Sequence, residues 1–61
     1  MTMLISMNSG ENFIFEITEE NYKSFKMDSL IYNWLKLNDY GYKAYTEFFI
    51  KKENISYYGI I

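Results

Sequence analysis

The sequence predicts an α+β domain of ββαββ order, a small antiparallel sheet with one amphipathic helix packed across one face. Two observations carry this. The stretch Asp28 to Gly41 has both a helix start and a helix stop signal, and the segments on either side are short, apolar or alternating, and separated by turn residues. With no linker or internal repeat, residues 1–61 are expected to form a single domain.

The first strand is expected at Thr2–Met7, a short unbroken apolar run. Asn8-Ser9-Gly10-Glu11 supplies turn chemistry, since Gly10 is free to take positive φ. The run Asn12 to Thr18 then alternates, with Phe13, Phe15 and Ile17 on one face and Asn12, Glu16 and Thr18 on the other, a polar face that Ile14 breaks. These two strands should close a hairpin. Thr18 can cap a short helical turn through Glu19, Glu20 and Asn21, with Tyr22 and Phe25 turned toward the core, and this turn should lead into the main helix.

That helix is expected to start at Asp28 and to end at Gly41 in the left-handed conformation. Leu30, Trp34 and Leu37 fall at i, i+4 and i+7, widened by Ile31 and Leu35, so Trp34 should anchor the helix in the core. Beyond Gly41, the run Tyr42 to Lys52 alternates, placing Tyr42, Ala44, Thr46, Phe48 and Ile50 opposite Lys43, Tyr45, Glu47, Phe49 and Lys51. A tight turn at Lys52-Glu53-Asn54 should fold Ile55–Ile61 back as the partner of a second hairpin.

Composition narrows the function. A chain of 61 residues buries only about 60% of the surface that its unfolded form exposes. A core of that size supplies no more than ~3–5 kcal/mol. Small domains usually add disulfides or a metal, but this chain has no Cys and no His, so no cofactor is expected and self-association is the staple left. A composition 49% hydrophobic and 21% aromatic is rich for so little interior, so some of those rings must reach the surface. On the expected faces, Tyr45, Phe49, Tyr58 and Ile60 fall on the side of the sheet away from the helix. The last strand also lacks charge and Pro, which leaves an edge open to another strand. A homodimer through the sheet is therefore expected.

Candidate chemistry is sparse. The six basic residues are all Lys, and Glu19-Glu20 reads as favourable charge at a helix N-terminus rather than as an acid–base pair. The serines have no His beside them, and no Asp-rich loop has calcium-site spacing. An enzyme is not expected. A net charge of −2 gives no basic footprint for nucleic acid, and no apolar run reaches the ~18 residues of a membrane helix. No membrane partner is expected.

What is left is binding. The expected contact residues are Tyr32 and Tyr40 on the outer side of the helix, with Tyr45, Phe49, Tyr57, Tyr58 and Ile60 on the sheet. Lys, Asn, Ile, Tyr and Phe supply 32 of 61 residues, against four for Ala, Gly, Pro and Arg together, a bias toward AT-rich codons. That bias suits a phage or mobile-element gene, and the expectation is a cytoplasmic inhibitor that blocks a bacterial host protein by steric occlusion, such as a defence or nucleic-acid-processing enzyme. The alternative is a single-stranded nucleic-acid binder or small transcription regulator using a tyrosine-rich sheet face.

Overall fold

Gly10 sits at φ +93°, a conformation that costs glycine little and side chains more. It lets the chain reverse after β1 (Thr2–Met7), closing the turn with Gly10 N–H donating to Met7 O at 2.9 Å and Met7 N–H to Glu11 O at 2.8 Å. The chain returns as β2 (Asn12–Glu16), antiparallel to β1 with Met3 opposite Phe15 and Ile5 opposite Phe13. A computed structural model describes all residues, Met1–Ile61. Its order continues as α1 (Glu19–Ile31), β3 (Trp34–Lys36), a 3-10 turn at Leu37–Tyr40, β4 (Phe49–Lys51), a 3-10 turn at Lys52–Asn54 and β5 (Ile55–Ile60). The fold is α+β, five strands in two antiparallel sheets with one helix packed on the larger sheet. The ββαββ order fits it.

The larger sheet runs β2-β1-β5, so the first strand is central and its second neighbour is the last strand of the chain. Met3 pairs with Ile60, Ile5 with Tyr58 and Ser6 with Tyr57, before a bulge between Ser6 and Met7 shifts the register. Alternation puts Met3, Ile5, Phe13 and Phe15 on one face, with Ile17 beyond them, and all five are buried. Tyr58 and Ile60 share that face. The opposite face shows Leu4, Ile14 and Tyr57, with Gly59 leaving room beside Tyr57, whose hydroxyl would meet a Cβ there at 3.3 Å.

The helix lies on the buried side. Thr18 Oγ1 accepts from Asn21 N–H at 3.1 Å and Glu19 and Glu20 occupy the first turn, so a capped and charge-matched start fixes the helix phase. Phe25 and Ser29 then point inward: Phe25 meets Tyr58 and Tyr40 edge-on at 5.0 and 5.1 Å, and Ser29 donates to Lys26 O at 2.8 Å.

Several expectations are corrected here. The helix does not run from Asp28 to Gly41. The turn expected at Glu19 is the main helix itself, and it stops at Ile31 because Tyr32 is extended at φ −107°, ψ 146°. Beyond it Leu35 and Leu37 are both fully buried while Trp34 is more than half exposed, so a two-residue period prevails over the helical one. Trp34 therefore faces outward from a strand rather than anchoring a helix in the core. Asp28 caps nothing; it accepts the Tyr40 hydroxyl at 2.6 Å. Gly41 does take the left-handed conformation, at φ +111°, but it ends the 3-10 turn.

The expected long strand over Tyr42–Lys52 is a strand only at Phe49–Lys51. Before it, Asn38 stands in for a neighbouring strand: its Nδ2 donates to Thr46 O at 3.1 Å and its Oδ1 accepts Phe48 N–H at 2.8 Å. Tyr42 and Phe48 drop inward onto Phe13, with ring centroids 5.7 and 5.2 Å away. The second hairpin does not form either. The turn at Lys52–Asn54 exists, but β4 pairs with β3 and β5 with β1.

Candidate protein-binding surface

Once Thr18 sets the helix phase, Phe25 and Ser29 face the sheet, and residues about half a turn away must face out. Those residues are Met27, Leu30 and Ile31, spaced i, i+3 and i+4, and they are 63%, 78% and 65% exposed. Three apolar side chains thus form a ridge on the outside of a helix whose inner side holds Phe25 and Ser29, with Tyr22 partly buried beside them against Tyr58. Lys23 and Lys26 stand alongside: with Ser24, Met27 and Leu30 they line a shallow depression. Lys23 is balanced by Glu19 at 3.6 Å, and Lys26 Nζ lies 5.1 Å from the centre of the Tyr22 ring.

The apolar surface continues past the helix end. Tyr32 is exposed, and Trp34, two residues on, is 57% exposed. Trp34 pairs with Lys51 across the small sheet, and Lys36 with Phe49, while Leu35 and Ile50 fill the other side. The outer face of this two-stranded sheet is therefore a checkerboard of two rings and two lysines. Both cations already have partners. Lys51 bonds Glu53 at 2.8 Å and leans toward the Trp34 ring at 5.9 Å, and Lys36 lies 3.6 Å from Glu47.

Beside this face a groove of about 450 Å³ opens between the β1–β2 turn and the small sheet, lined among others by Met7, Asn8, Trp34, Phe49, Lys51 and Asn54. Its far wall is tied down by Asn8, whose N–H donates to Asn54 O at 2.7 Å and whose Nδ2 donates to Glu53 O at 3.2 Å. The groove contains no nucleophile held beside a base. No group of three or more acidic side chains is gathered anywhere in the chain to hold a metal ion, and no helix is long and apolar enough to cross a membrane.

Of the residues expected to touch a partner, Tyr32, Tyr45, Phe49 and Tyr57 are well exposed, and Tyr45 is wholly so. Tyr40 is not on the surface. It is 5% exposed, packed on Phe25, and its hydroxyl is spent on Asp28. Burial first, then the hydrogen bond and charge of Asp28 and the charge of Asp39, raise its phenol well above the usual 10.0. The parity of the last strand also differs from expectation. Tyr58 is half-buried under the helix, Ile60 shares its face, and Tyr57 is the ring on the bare side. Tyr45 and Phe49 belong to neither face of the larger sheet.

So the structure exposes Tyr32 directly after the helix and Trp34 two residues on, sets Phe49 diagonal to Trp34, and leaves Tyr57, Tyr58 and Ile60 on the edge strand. Sequence reasoning missed Met27 altogether and assigned Leu30, Ile31 and Trp34 to the core. The signal that would have found them is Thr18 followed by Glu19-Glu20: phasing the helix from that cap sends Phe25 inward and the ridge outward. Compared with protein-family models, curated proteins and solved structures, the chain matches none.

Proposed function

We propose that this chain is a non-catalytic protein-binding module that acts by covering a surface of its partner with the outer ridge of α1, extended by Tyr32 and Trp34. The observation behind this reading is the solvent-facing Met27, Leu30 and Ile31 at helical spacing. Burying such a side chain is worth about 1.5–3 kcal/mol, so leaving three outside is a cost that binding recovers. An apolar helix face seated in a partner's groove is a common mode of recognition, and spacings of i, i+3 and i+4 are its usual anchors. The supply of reactive groups supports the non-catalytic part, since the chain has no His, Cys or Arg. A bacterial host protein held inactive by occlusion, in the cytoplasm of the host, is the partner we propose from the coding bias.

The test is capture from bacterial lysate on the immobilised chain, run beside a Met27→Ser, Leu30→Ser, Ile31→Ser variant of matching circular dichroism. A protein retained by the first and lost from the second, with retention surviving high salt, is the expected result. Equal retention on both sinks the reading.

The checkerboard of Trp34, Lys36, Phe49 and Lys51 favours a second reading, stacking of a single-stranded nucleic acid. Against it, Glu47 and Glu53 already neutralise both lysines. Binding that weakens steeply with added salt, and that Trp34→Ala removes, would move the assignment there.

A further inference from the structure

Strand β5 has one neighbour, β1, and its other side is open. Ile61 N–H donates to Thr2 O at 2.9 Å, so the groups of Ile61, and by alternation those of Gly59 and Tyr57, turn toward β1. The N–H and C=O of Tyr58 and Ile60 turn the other way, to the free side. The bulge at Ser6/Met7 disturbs the start of the strand, leaving Tyr57–Ile60 as its regular part, which the Ile61 hydrogen bond extends by one residue, and Gly59 is the midpoint of that stretch.

We infer that this free edge pairs antiparallel with the same strand of a second copy, about a two-fold axis at Gly59. That register sets Tyr58 opposite the second copy's Ile60 and Ile60 opposite its Tyr58, and each pair exchanges both of its outward backbone hydrogen bonds. On the bare face, half-exposed Tyr57 meets the second copy's exposed Ile61, an apolar cross-strand pair. The two glycines meet at the axis, where the strands come closest.

Three features select a second copy. From Tyr57 to Ile61 there is no charged side chain, so two antiparallel copies oppose no like charges. The lysines and prolines with which sheet edges usually repel other strands are missing from it. The opposite edge of the sheet is crowded at one end: Gly41 packs so near the last residue of β2 that a Cβ on it would stand 3.1 Å from Glu16 O. Pairing β5 with β5 about a two-fold axis is isologous and uses the same edge of both copies, which gives a closed pair of sheets rather than a filament. No residue of the helix ridge takes part, so this inference stands or falls apart from the proposed function.

The chain has no cysteine, which makes Gly59→Cys a direct test. Facing residues in a non-hydrogen-bonded pair lie about 4.5 Å apart at Cα, inside the ~4.4–6.8 Å span of disulfides. Mild oxidation should convert Gly59→Cys to a covalent dimer several-fold faster than Tyr45→Cys, whose site is fully exposed. Sedimentation of the wild type at tens of micromolar should give twice the 7.4 kDa chain mass. Ile60→Pro, which deletes an outward N–H and leaves the β1 ladder intact, should sediment as a single chain. If that variant unfolds, Ile60→Lys serves in its place. A wild type that stays at one chain mass, equal crosslinking at positions 59 and 45, or a dimer surviving in a folded edge variant would each overturn the inference.

Discussion

The two sides of α1 are built in reverse of the usual helix. Its inner side buries Phe25 and Ser29, while its outer side carries Met27, Leu30 and Ile31 in solvent. The inner side works through a few dense contacts, with Tyr40 and Tyr58 edge-on to a single ring and Ser29 satisfying its own hydroxyl on Lys26 O. The outer side makes no contribution of that sort to the fold. Apolar spacing along a helix therefore does not by itself tell which side the chain's own core will cover.

Substitutions should separate the two sides by the size of their effects. Phe25→Ala removes the ring that joins helix to sheet and leaves a cavity, at a cost of about 3–5 kcal/mol. A core this small has no more than that to lose, so circular dichroism should show the variant largely unfolded at room temperature. A cooperative, wild-type-like melt would break the comparison at its strongest point.

Next in size is Tyr40→Phe. It deletes a 2.6 Å hydrogen bond to a carboxylate beneath the helix, and bonds of that charged kind contribute roughly 1.5–3 kcal/mol. The same residue sets a pH dependence. Its folded pKa is raised above the unfolded value of 10.0, so stability is level below about 10 and falls as pH climbs further, where the unfolded chain releases a proton that the folded one keeps. Denaturant titrations between neutral pH and pH 11 should show that alkaline fall in the wild type and a shallower one in Tyr40→Phe.

Thr18→Ala removes the cap that phases the helix, for about 1 kcal/mol. A lower melting temperature with unchanged helix content is expected, and an unchanged melting temperature would deny the cap its part in choosing which side faces in.

Smallest is Leu30→Ser on the outer ridge, where stability should move by no more than about 0.5 kcal/mol. A loss above 1 kcal/mol would mean that the ridge supports the fold after all, and would sharpen the search for what it touches.

Much of the fold was legible because strand signals are local. The β1–β2 hairpin could be read from Gly10 and from Phe13, Phe15 and Ile17 at every second position, with Ile14 the one apolar residue between them. The run Leu30 to Leu37 misled because it satisfies two periods at once: Leu30, Trp34 and Leu37 fit a helix, and Leu35 and Leu37 fit a strand. Neither is excluded by neighbours in sequence. What decided between them lies far off, in the pairing of Leu35 with Ile50 and in the Asn38 side chain holding Thr46 and Phe48. The candidate surface was legible only in part for the same reason. Exposed rings were foreseeable from composition, as Tyr32, Phe49 and Tyr57 are exposed, but Tyr40 is buried on Phe25, fifteen residues away, with its hydroxyl on Asp28.

The central strand of the main sheet is made first and completed last. Met3 finds its neighbour at Ile60, so during synthesis the β1–β2 hairpin must wait, one flank bare, until residue 60 has emerged. Closures of that span are slow beside helix formation, and β1 keeps an unpaired flank until β5 arrives. Pairing residues as far apart as Met3 and Ile60 thus makes the larger sheet depend on a late, long-range closure.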